Sequence, residues 1–92
     1  MSTIQRTILV SVTLLSSPTA YSASYDSEIC IGELIRNLCV NLGIDPDTRD
    51  GITDNVKVFR DGLVWSYIPN RSITQYLIPG ETSLTLQFQL RD

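Results

Sequence analysis

The clearest pattern along the chain lies between Asp26 and Gly43, where apolar residues recur at steps of three and four. This spacing places them on one side of a helix with 3.6 residues per turn. The apolar stripe consists of Ile31, Leu34, Ile35, Leu38, Cys39 and Leu42. Gly43 suits the left-handed conformation that ends many helices. The pattern therefore predicts one helix, with Ser27 and Cys30 as alternative residues at its start.

Three other segments alternate apolar and polar residues with the period of a β-strand. The first runs from Ile8 to Leu14, and Thr19 to Tyr25 follows it after a Ser-Ser-Pro turn, so we expect a hairpin. The third, Ser83 to Leu90, is the most regular. Its predicted core face consists of Leu84, Leu86, Phe88 and Leu90.

The strongest local signal is the dipeptide Asp61-Gly62, which favours a two-residue hairpin turn between the runs 56–60 and 63–68. The register predicts five opposing pairs, namely Arg60 with Leu63, Phe59 with Val64, Val58 with Trp65, Lys57 with Ser66, and Val56 with Tyr67. The face toward the helix then carries Val56, Val58, Trp65 and Tyr67. The outer face carries Lys57, Phe59, Val64 and Ser66.

The connection from Ile44 to Asn55 holds four of the seven aspartates, and we expect it to be a loop. Its spacing of acidic residues approaches that of a calcium-binding loop. However, Arg49 and Val56 stand where that ion needs oxygen ligands. The connection is therefore interpreted as solvated turns without a metal.

Composition narrows the function classes. The chain has 92 residues, which suits one domain spanning 1–92, and a net charge of −3. Its seven cations are dispersed, whereas proteins that bind nucleic acids or membrane surfaces concentrate positive charge. It also lacks histidine, the commonest general base and metal ligand. We expect a non-enzymatic protein that binds no nucleic acid, membrane surface, metal or cofactor.

The two cysteines, Cys30 and Cys39, are nine residues apart. On a helix this separation is about 13 Å, whereas a disulfide needs Cα atoms within about 7 Å. We expect two reduced thiols, which favours a cytoplasmic location. The best enzymatic alternative would use Cys30 as a nucleophile at the helix start.

The amino terminus has two interpretations. Residues 7–15 form a short apolar run, and the small residues between Ala20 and Ala23 resemble a signal-peptide cleavage site. The alternation from Ile8 to Leu14 favours a buried strand instead. A small secreted protein with residues 1–23 as signal peptide is therefore the alternative. No segment is long enough to span a membrane.

The order hairpin, helix, hairpin, short turn and strand is that of a β-grasp, in which the first and last strands pair in parallel at the centre. From Arg71 to Arg91 the chain also resembles the end of ubiquitin. The resemblance lies in the Arg-Ser-Ile and Tyr76 of a short helical turn, in the turn that carries Glu81, and in the alternating leucines of the last strand. It implies an α+β, ubiquitin-like β-grasp, with a mixed four- to five-stranded sheet packed on one α-helix.

Two differences from ubiquitin bear on function. The final residues, Leu90-Arg91-Asp92, are not the Gly-Gly tail that conjugation requires, so we expect no conjugation. The outer face of this strand carries Thr85, Gln87 and Gln89, where ubiquitin has aliphatic residues.

Trp65 after the Asp-Gly turn and the run Tyr76–Glu81 make the chain resemble the ubiquitin-like subdomains at the start of FERM domains, including those of talin-type proteins. This resemblance implies a protein-interaction module of a cytoskeletal or adhesion scaffold. The chain also resembles the small stand-alone ubiquitin-like component of bacterial type VII secretion systems, which is the alternative.

The candidate partner-binding residues lie on the predicted outer face of the sheet. They are Lys57, Phe59, Val64, Thr85 and Gln87. A small GTPase is a further candidate partner, but its recognition usually relies on basic residues near the second strand. Thr19 to Tyr25 contains none, which leaves Arg6 and Arg36.

Overall fold

The main sheet has five strands, of which the two central ones run parallel. The computed structural model describes residues 7–91. The elements in chain order are β1 (Thr7–Leu14), β2 (Ala20–Asp26), α1 (Ile31–Asn41), β3 (Thr48–Arg49), β4 (Ile52–Thr53), β5 (Val56–Arg60), β6 (Leu63–Val64), a 3-10 helix (Ile73–Tyr76) and β7 (Ser83–Leu90). The sheet order is β2-β1-β7-β5-β6, and only the β1–β7 pair is parallel. The predicted β-grasp is confirmed.

The core lies between α1 and one face of this sheet. Alternate residues of β1, β5 and β7 point toward α1 and are buried, as the period of two predicts. Each fully buried aliphatic or aromatic side chain contributes about 1.5–3 kcal/mol relative to an exposed one. The buried apolar residues are Ile8, Val10, Val12, Leu14, Ile31, Leu34, Ile35, Leu38, Cys39, Val56, Val58, Ile73, Leu84, Leu86 and Phe88.

The amino terminus of α1 is capped by backbone groups from a distant part of the chain. Cys30 is the N-cap residue, and its side chain makes no capping hydrogen bond. Instead, the N–H of Ile31 donates to the carbonyl of Arg71 at 2.8 Å, and the N–H of Gly32 donates to that of Pro69 at 3.1 Å. These bonds satisfy two of the free N–H groups at the helix start. At the other end Gly43 has φ +81°, as predicted.

The acidic connection is not a plain loop, which corrects the prediction for residues 44–55. It contains the two-stranded hairpin β3–β4, which turns at Asp50 (φ +52°) and Gly51 (φ +81°). Asn55 holds the base of this hairpin, because its Nδ2 donates to the Asp45 carbonyl at 2.9 Å and its Oδ1 accepts from the Asp47 N–H at 3.0 Å.

Strand β6 is shorter than predicted. The pairs Phe59 with Val64 and Arg60 with Leu63 are confirmed, and the N–H of Trp65 donates to the Val58 carbonyl at 2.9 Å. The predicted pair of Val58 with Trp65 lies just beyond β6 and is reduced to this bond. The two further predicted pairs, which involve Ser66 and Tyr67, are wrong, because residues 66–68 leave the sheet.

Two tyrosine hydroxyl groups explain why the residues after β6 leave the main sheet. The Tyr67 hydroxyl accepts the N–H of Thr53 at 3.2 Å, and the Tyr76 hydroxyl accepts the N–H of Ile68 at 2.7 Å. Both bonds direct the chain away from β5 and toward the β3–β4 hairpin and the 3-10 helix.

Leu90 is not part of the core, which corrects a second prediction. It is 43% exposed, because the parallel partner β1 ends at Leu14, opposite Phe88. The residues of β7 beyond Phe88 therefore extend past the covered part of the sheet.

The amino-terminal segment that could be either a signal peptide or a strand forms β1, next to β7 in the main sheet. Cleavage after Ala23 would remove four core side chains of β1, namely Ile8, Val10, Val12 and Leu14. The strand interpretation of Ile8 to Leu14 is thus the one that the structure shows. None of the helices formed by residues 7–91 has the length and apolar character needed to cross a bilayer.

Candidate interaction surface

The five candidate residues lie on the sheet face opposite α1. We call the set Lys57, Phe59, Val64, Thr85 and Gln87 the outer patch. Their neighbours along the strands, among them Val58, Leu84, Leu86 and Phe88, are buried on the helix side. Successive side chains of a strand point to opposite faces, so the outer patch faces away from the core.

Phe59 is the centre of the outer patch. It lies opposite Val64 on one side and opposite Gln87 on the other. The ammonium group of Lys57 lies over its ring, 5.6 Å from the centroid. Phe59 is half-buried by these neighbours, whereas Val64 is 54% exposed. The arrangement presents an apolar pair with one cation at its margin.

Thr85 and Gln87 form the polar side of the outer patch. They face Ser11 and Thr13 of β1 across the parallel pairing. Beyond β1, the hydroxyl of Ser22 donates to that of Ser11 at 3.0 Å. The face therefore changes from apolar at β5 and β6 to short hydroxyl side chains at β1 and β2.

Leu15 is an exposed apolar residue near this face that is not among the five candidate residues. It is 49% exposed, and its N–H donates to the carbonyl of Phe88 at 2.8 Å. This bond holds it beside Gln89, which pairs with Lys57. No sequence signal marks the residue, because its position depends on the parallel contact with β7.

The hairpin that carries Phe59 and Val64 is fixed from the helix side by an aromatic cluster. Trp65 lies 5.2 Å from Tyr76 in an edge-to-face arrangement and 5.9 Å from Tyr67, measured between ring centroids. All three aromatic side chains are half-buried and pack against the core. The inward orientation predicted for Trp65 and Tyr67 is confirmed, and their packing holds the outer patch on a rigid support.

A surface groove of about 230 Å³ adjoins the outer patch where residues 65–67 separate from β5. Lys57 and Val64 reach its margin, and Trp65 and Tyr67 form part of its wall. Small-molecule sites usually enclose about 300–1,000 Å³. The groove is thus better suited to one side chain of a partner than to a cofactor.

The thiols have surroundings unlike those of catalytic cysteines. Cys30 is exposed, and its Sγ lies 3.8 Å from the carbonyl oxygen of Asn70, which cannot act as a general base. Cys39 is fully buried, and burial raises the pKa of its thiol to about 11. Within residues 7–91, no three acidic or cysteine side chains come together in a geometry that could hold a metal ion.

Of the two cations considered for a GTPase partner, the structure describes only Arg36. Arg36 is exposed on α1, and Arg6 lies outside the described residues. The strand itself, Ala20–Asp26, contains one charged residue, the acidic Asp26. This strand lacks the basic character that an acidic GTPase surface would require.

Comparison with known proteins places the fold. No protein-family model and no curated protein sequence matches the chain. Among solved structures, the UBL domain of yeast Ddi1 is similar with a TM-score of 0.69 and 10% identity, over 99% of this chain and 96% of that one. The UBL domain of Plasmodium falciparum Dsk2 is similar with a TM-score of 0.60 and 14% identity, over 91% and 97%.

The ubiquitin-like domain of the Arabidopsis thaliana protein At2g32350 is a third similar structure. Its TM-score is 0.64 with 15% identity, over 95% of this chain and 80% of that one. At such low identity the likeness concerns the fold alone. The chain has the ubiquitin-like β-grasp fold, in agreement with the predicted fold class.

Proposed function

We propose that this ubiquitin-like domain, formed by the whole chain 1–92, is a non-enzymatic module that binds protein partners through the outer patch. The observation that carries the proposal is the open apolar pair of Phe59 and Val64, with Lys57 over the Phe59 ring. Aromatic side chains at the centre of a contact are typical binding anchors. Single exposed apolar residues are common, but this pair is held on a rigid strand next to a groove.

The size of the outer patch indicates weak, reversible binding. Burying the parts of Phe59 and Val64 that are still exposed would contribute about 1.5–3 kcal/mol before the costs of association are subtracted. A Kd in the micromolar range corresponds to about −8 kcal/mol. Polar contacts by Lys57, Thr85 and Gln87 must supply the rest, so they also set the partner's chemistry. We expect a partner that inserts one apolar side chain and offers hydrogen-bond acceptors beside it.

The test compares the wild-type chain with Phe59→Asp and with Leu9→Asp. Leu9 is 48% exposed and lies opposite Ser83, toward the other end of the same sheet face. The three immobilised proteins are exposed to cell extract, and a captured protein is then titrated by NMR. We expect the Phe59→Asp variant to lose binding of the captured protein and the Leu9→Asp variant to retain it. In the titration of the wild-type chain, the chemical-shift changes should be centred on Phe59 and Gln87.

Two outcomes would contradict the proposal. One is a folded Phe59→Asp protein that binds the same partner with unchanged affinity. The other is a titration in which the shift changes lie on α1 and leave the outer patch unaffected. Circular dichroism of both variants shows whether the fold is retained, so a folding defect is not mistaken for a loss of binding.

For the context of the domain, we propose a cytoplasmic cytoskeletal or adhesion scaffold of the FERM or talin type. The support is Trp65, three residues after Gly62 of the Asp61-Gly62 turn, together with the run Tyr76–Glu81. Fractionation of the native protein tests this assignment. We expect it in the cytoplasmic and cytoskeletal fractions, whereas recovery from the culture medium would favour the alternative of a small secreted protein with residues 1–23 as signal peptide.

A further inference from the structure

Strand β2 forms one edge of the main sheet, and its backbone leaves one side open. It pairs with β1 from Ala20 to Asp26 and has no second neighbour within residues 7–91. The N–H of Leu14 donates to the carbonyl of Thr19 at 3.0 Å. Leu14 and Thr19 are thus a hydrogen-bonded pair, and every second residue from Thr19 onward along β2 is hydrogen-bonded to β1. Thr19, Tyr21, Ala23 and Tyr25 therefore direct their backbone groups toward β1, and Ala20, Ser22, Ser24 and Asp26 direct theirs outward.

This open edge lacks the features by which proteins usually prevent edge-to-edge pairing. Such features include lysine, proline, a β-bulge and a very short strand. Strand β2 has seven residues and an unbroken register, and the nearest proline, Pro18, precedes it. Its single charge, Asp26, stands at the end. The edge is thus available to another strand.

The sequence of β2 is a palindrome, Tyr21-Ser22-Ala23-Ser24-Tyr25. We propose that two copies of this chain associate through antiparallel pairing of β2 with β2 about a two-fold axis at Ala23. Tyrosine then lies opposite tyrosine, serine opposite serine, and alanine opposite alanine. A two-fold interface must be self-complementary, and a palindromic edge strand meets this condition.

The proposed register also agrees with the direction in which the backbone groups of β2 point. Under the two-fold operation Ser22 pairs with Ser24 of the second copy, and both direct their N–H and C=O groups outward. The pair is therefore hydrogen-bonded. Asp26 contributes only its N–H, because its carbonyl accepts the Ile29 N–H at 3.0 Å. The interface gains about six backbone hydrogen bonds.

The side chains fit this arrangement as well. Tyr21 and Tyr25 lie on the helix side, in the pairs without hydrogen bonds, where cross-strand side chains approach most closely. The two Asp26 carboxylates are about 20 Å apart, at 3.4 Å per residue, and repel each other little. The sheets of the two copies join into one, with an outer patch near each distant edge. The dimer does not depend on the proposed function of that patch.

Strand pairing alone buries less area than a standard interface of about 1,600 Å², so we expect a weak dimer with a Kd of about 10–1,000 μM. Sedimentation equilibrium of the full chain over this concentration range tests it. Ser24→Pro removes one outward N–H from each copy but no bond to β1, and should raise the Kd at least about tenfold. Ser24→Ala keeps the N–H and should dimerise as the wild type does.

Hydrogen exchange supplies a second readout in the same molecule. The amides of Ser22 and Ser24 should become protected as concentration rises, whereas those of Ala23 and Tyr25, bonded to β1, should be protected throughout. If Ser24→Pro does not fold, the pair Ser22→Lys with Ser24→Lys places like charges opposite each other and should give a folded monomer. Two results would overturn the proposal. One is a wild-type chain that stays monomeric at about 1 mM. The other is a folded Ser24→Pro variant, or a folded variant with both lysines, that dimerises as strongly as the wild type.

Discussion

The guanidinium group of Arg60 lies over the indole ring of Trp65, with its Cζ atom 5.6 Å from the ring centroid. Its Nη1 also donates to the carbonyl of Tyr76 at 2.9 Å, and its Nη2 is 3.8 Å from the carboxylate of Glu81. One side chain thus connects the end of β5, the segment after β6 and the turn before β7. Only 21% of this side chain is exposed, so solvent weakens the contacts little.

We therefore expect Arg60→Ala to lower the free energy of unfolding by about 1–3 kcal/mol, through loss of the stacking and of a charge-assisted hydrogen bond. Urea denaturation measures this change. Arg49→Ala is the matched control, because Arg49 and Asp54 form an exposed ion pair at 3.8 Å, and the expected change is about 0.5 kcal/mol or less. Equal effects of the two substitutions would contradict the role of Arg60.

Gly32 allows three segments to meet at the start of α1. A Cβ atom at this position would lie 2.5 Å from the carbonyl oxygen of Gly51 and 2.8 Å from the Cβ of Pro69. Neither group is the end of a flexible side chain, so we expect Gly32→Ala to lower the free energy of unfolding by about 1–3 kcal/mol despite the better helix propensity of alanine.

Val40→Ala is the control for this prediction. Val40 lies on the same helix and is 59% exposed, so its truncation should change stability by no more than about 0.5 kcal/mol. A Gly32→Ala protein as stable as the wild type in urea would show that the β3–β4 hairpin does not pack on the helix as closely as the structure indicates.

Local sequence patterns were enough to predict the elements whose partners are near in the chain. The turn at Asp61-Gly62 fixed the pairs Phe59–Val64 and Arg60–Leu63, and hence the side of the sheet on which Phe59 lies. The alternation in β1 and β7 gave their buried faces, apart from Leu90. All five residues of the outer patch are therefore on the predicted face.

The features that were not predicted depend on distant residues. The helix begins after Cys30, one of the two predicted start residues, but no local pattern shows that the carbonyls of Pro69 and Arg71 cap it. Asp50-Gly51 is the same dipeptide as Asp61-Gly62, yet its flanking strands have two residues each, too few for alternation to be visible. The shortness of β6 likewise follows from the contact of Tyr67 with Thr53.

The Tyr67 hydroxyl is the acceptor for a buried N–H group. Thr53 is 2% exposed, and its N–H donates to that hydroxyl at 3.2 Å. Tyr67→Phe would leave the N–H without this acceptor, which costs about 1–3 kcal/mol. We expect the Thr53 amide to exchange with solvent faster, and by a larger factor than the amide of Val10 in the central strand. A Thr53 exchange rate equal to that of the wild type would contradict the assigned bond.

The buried thiol of Cys39 makes stability depend on pH in the alkaline range. Burial raises its pKa from 9.0 to about 11 in the folded chain. Between these values the unfolded chain releases the proton first, so the unfolded state binds fewer protons and the free energy of unfolding decreases as pH rises. The contribution of the Cys39 thiol to the free energy of unfolding is constant below about pH 9. It is lost as the pH rises from about 9 to about 11, and the total loss is about 2–3 kcal/mol.

Cys39→Val separates this effect from the titration of tyrosines. Burial also raises the pKa of Tyr25 and Tyr67, so both give stability changes of the same sign. The variant retains both tyrosines, and valine fills the buried site without an ionisable group. We therefore expect urea denaturation at pH 8 and pH 10.5 to show a smaller loss of stability for the variant than for the wild type. Equal losses would mean that Cys39 is accessible to solvent in the folded chain and that its pKa is close to that of a free thiol.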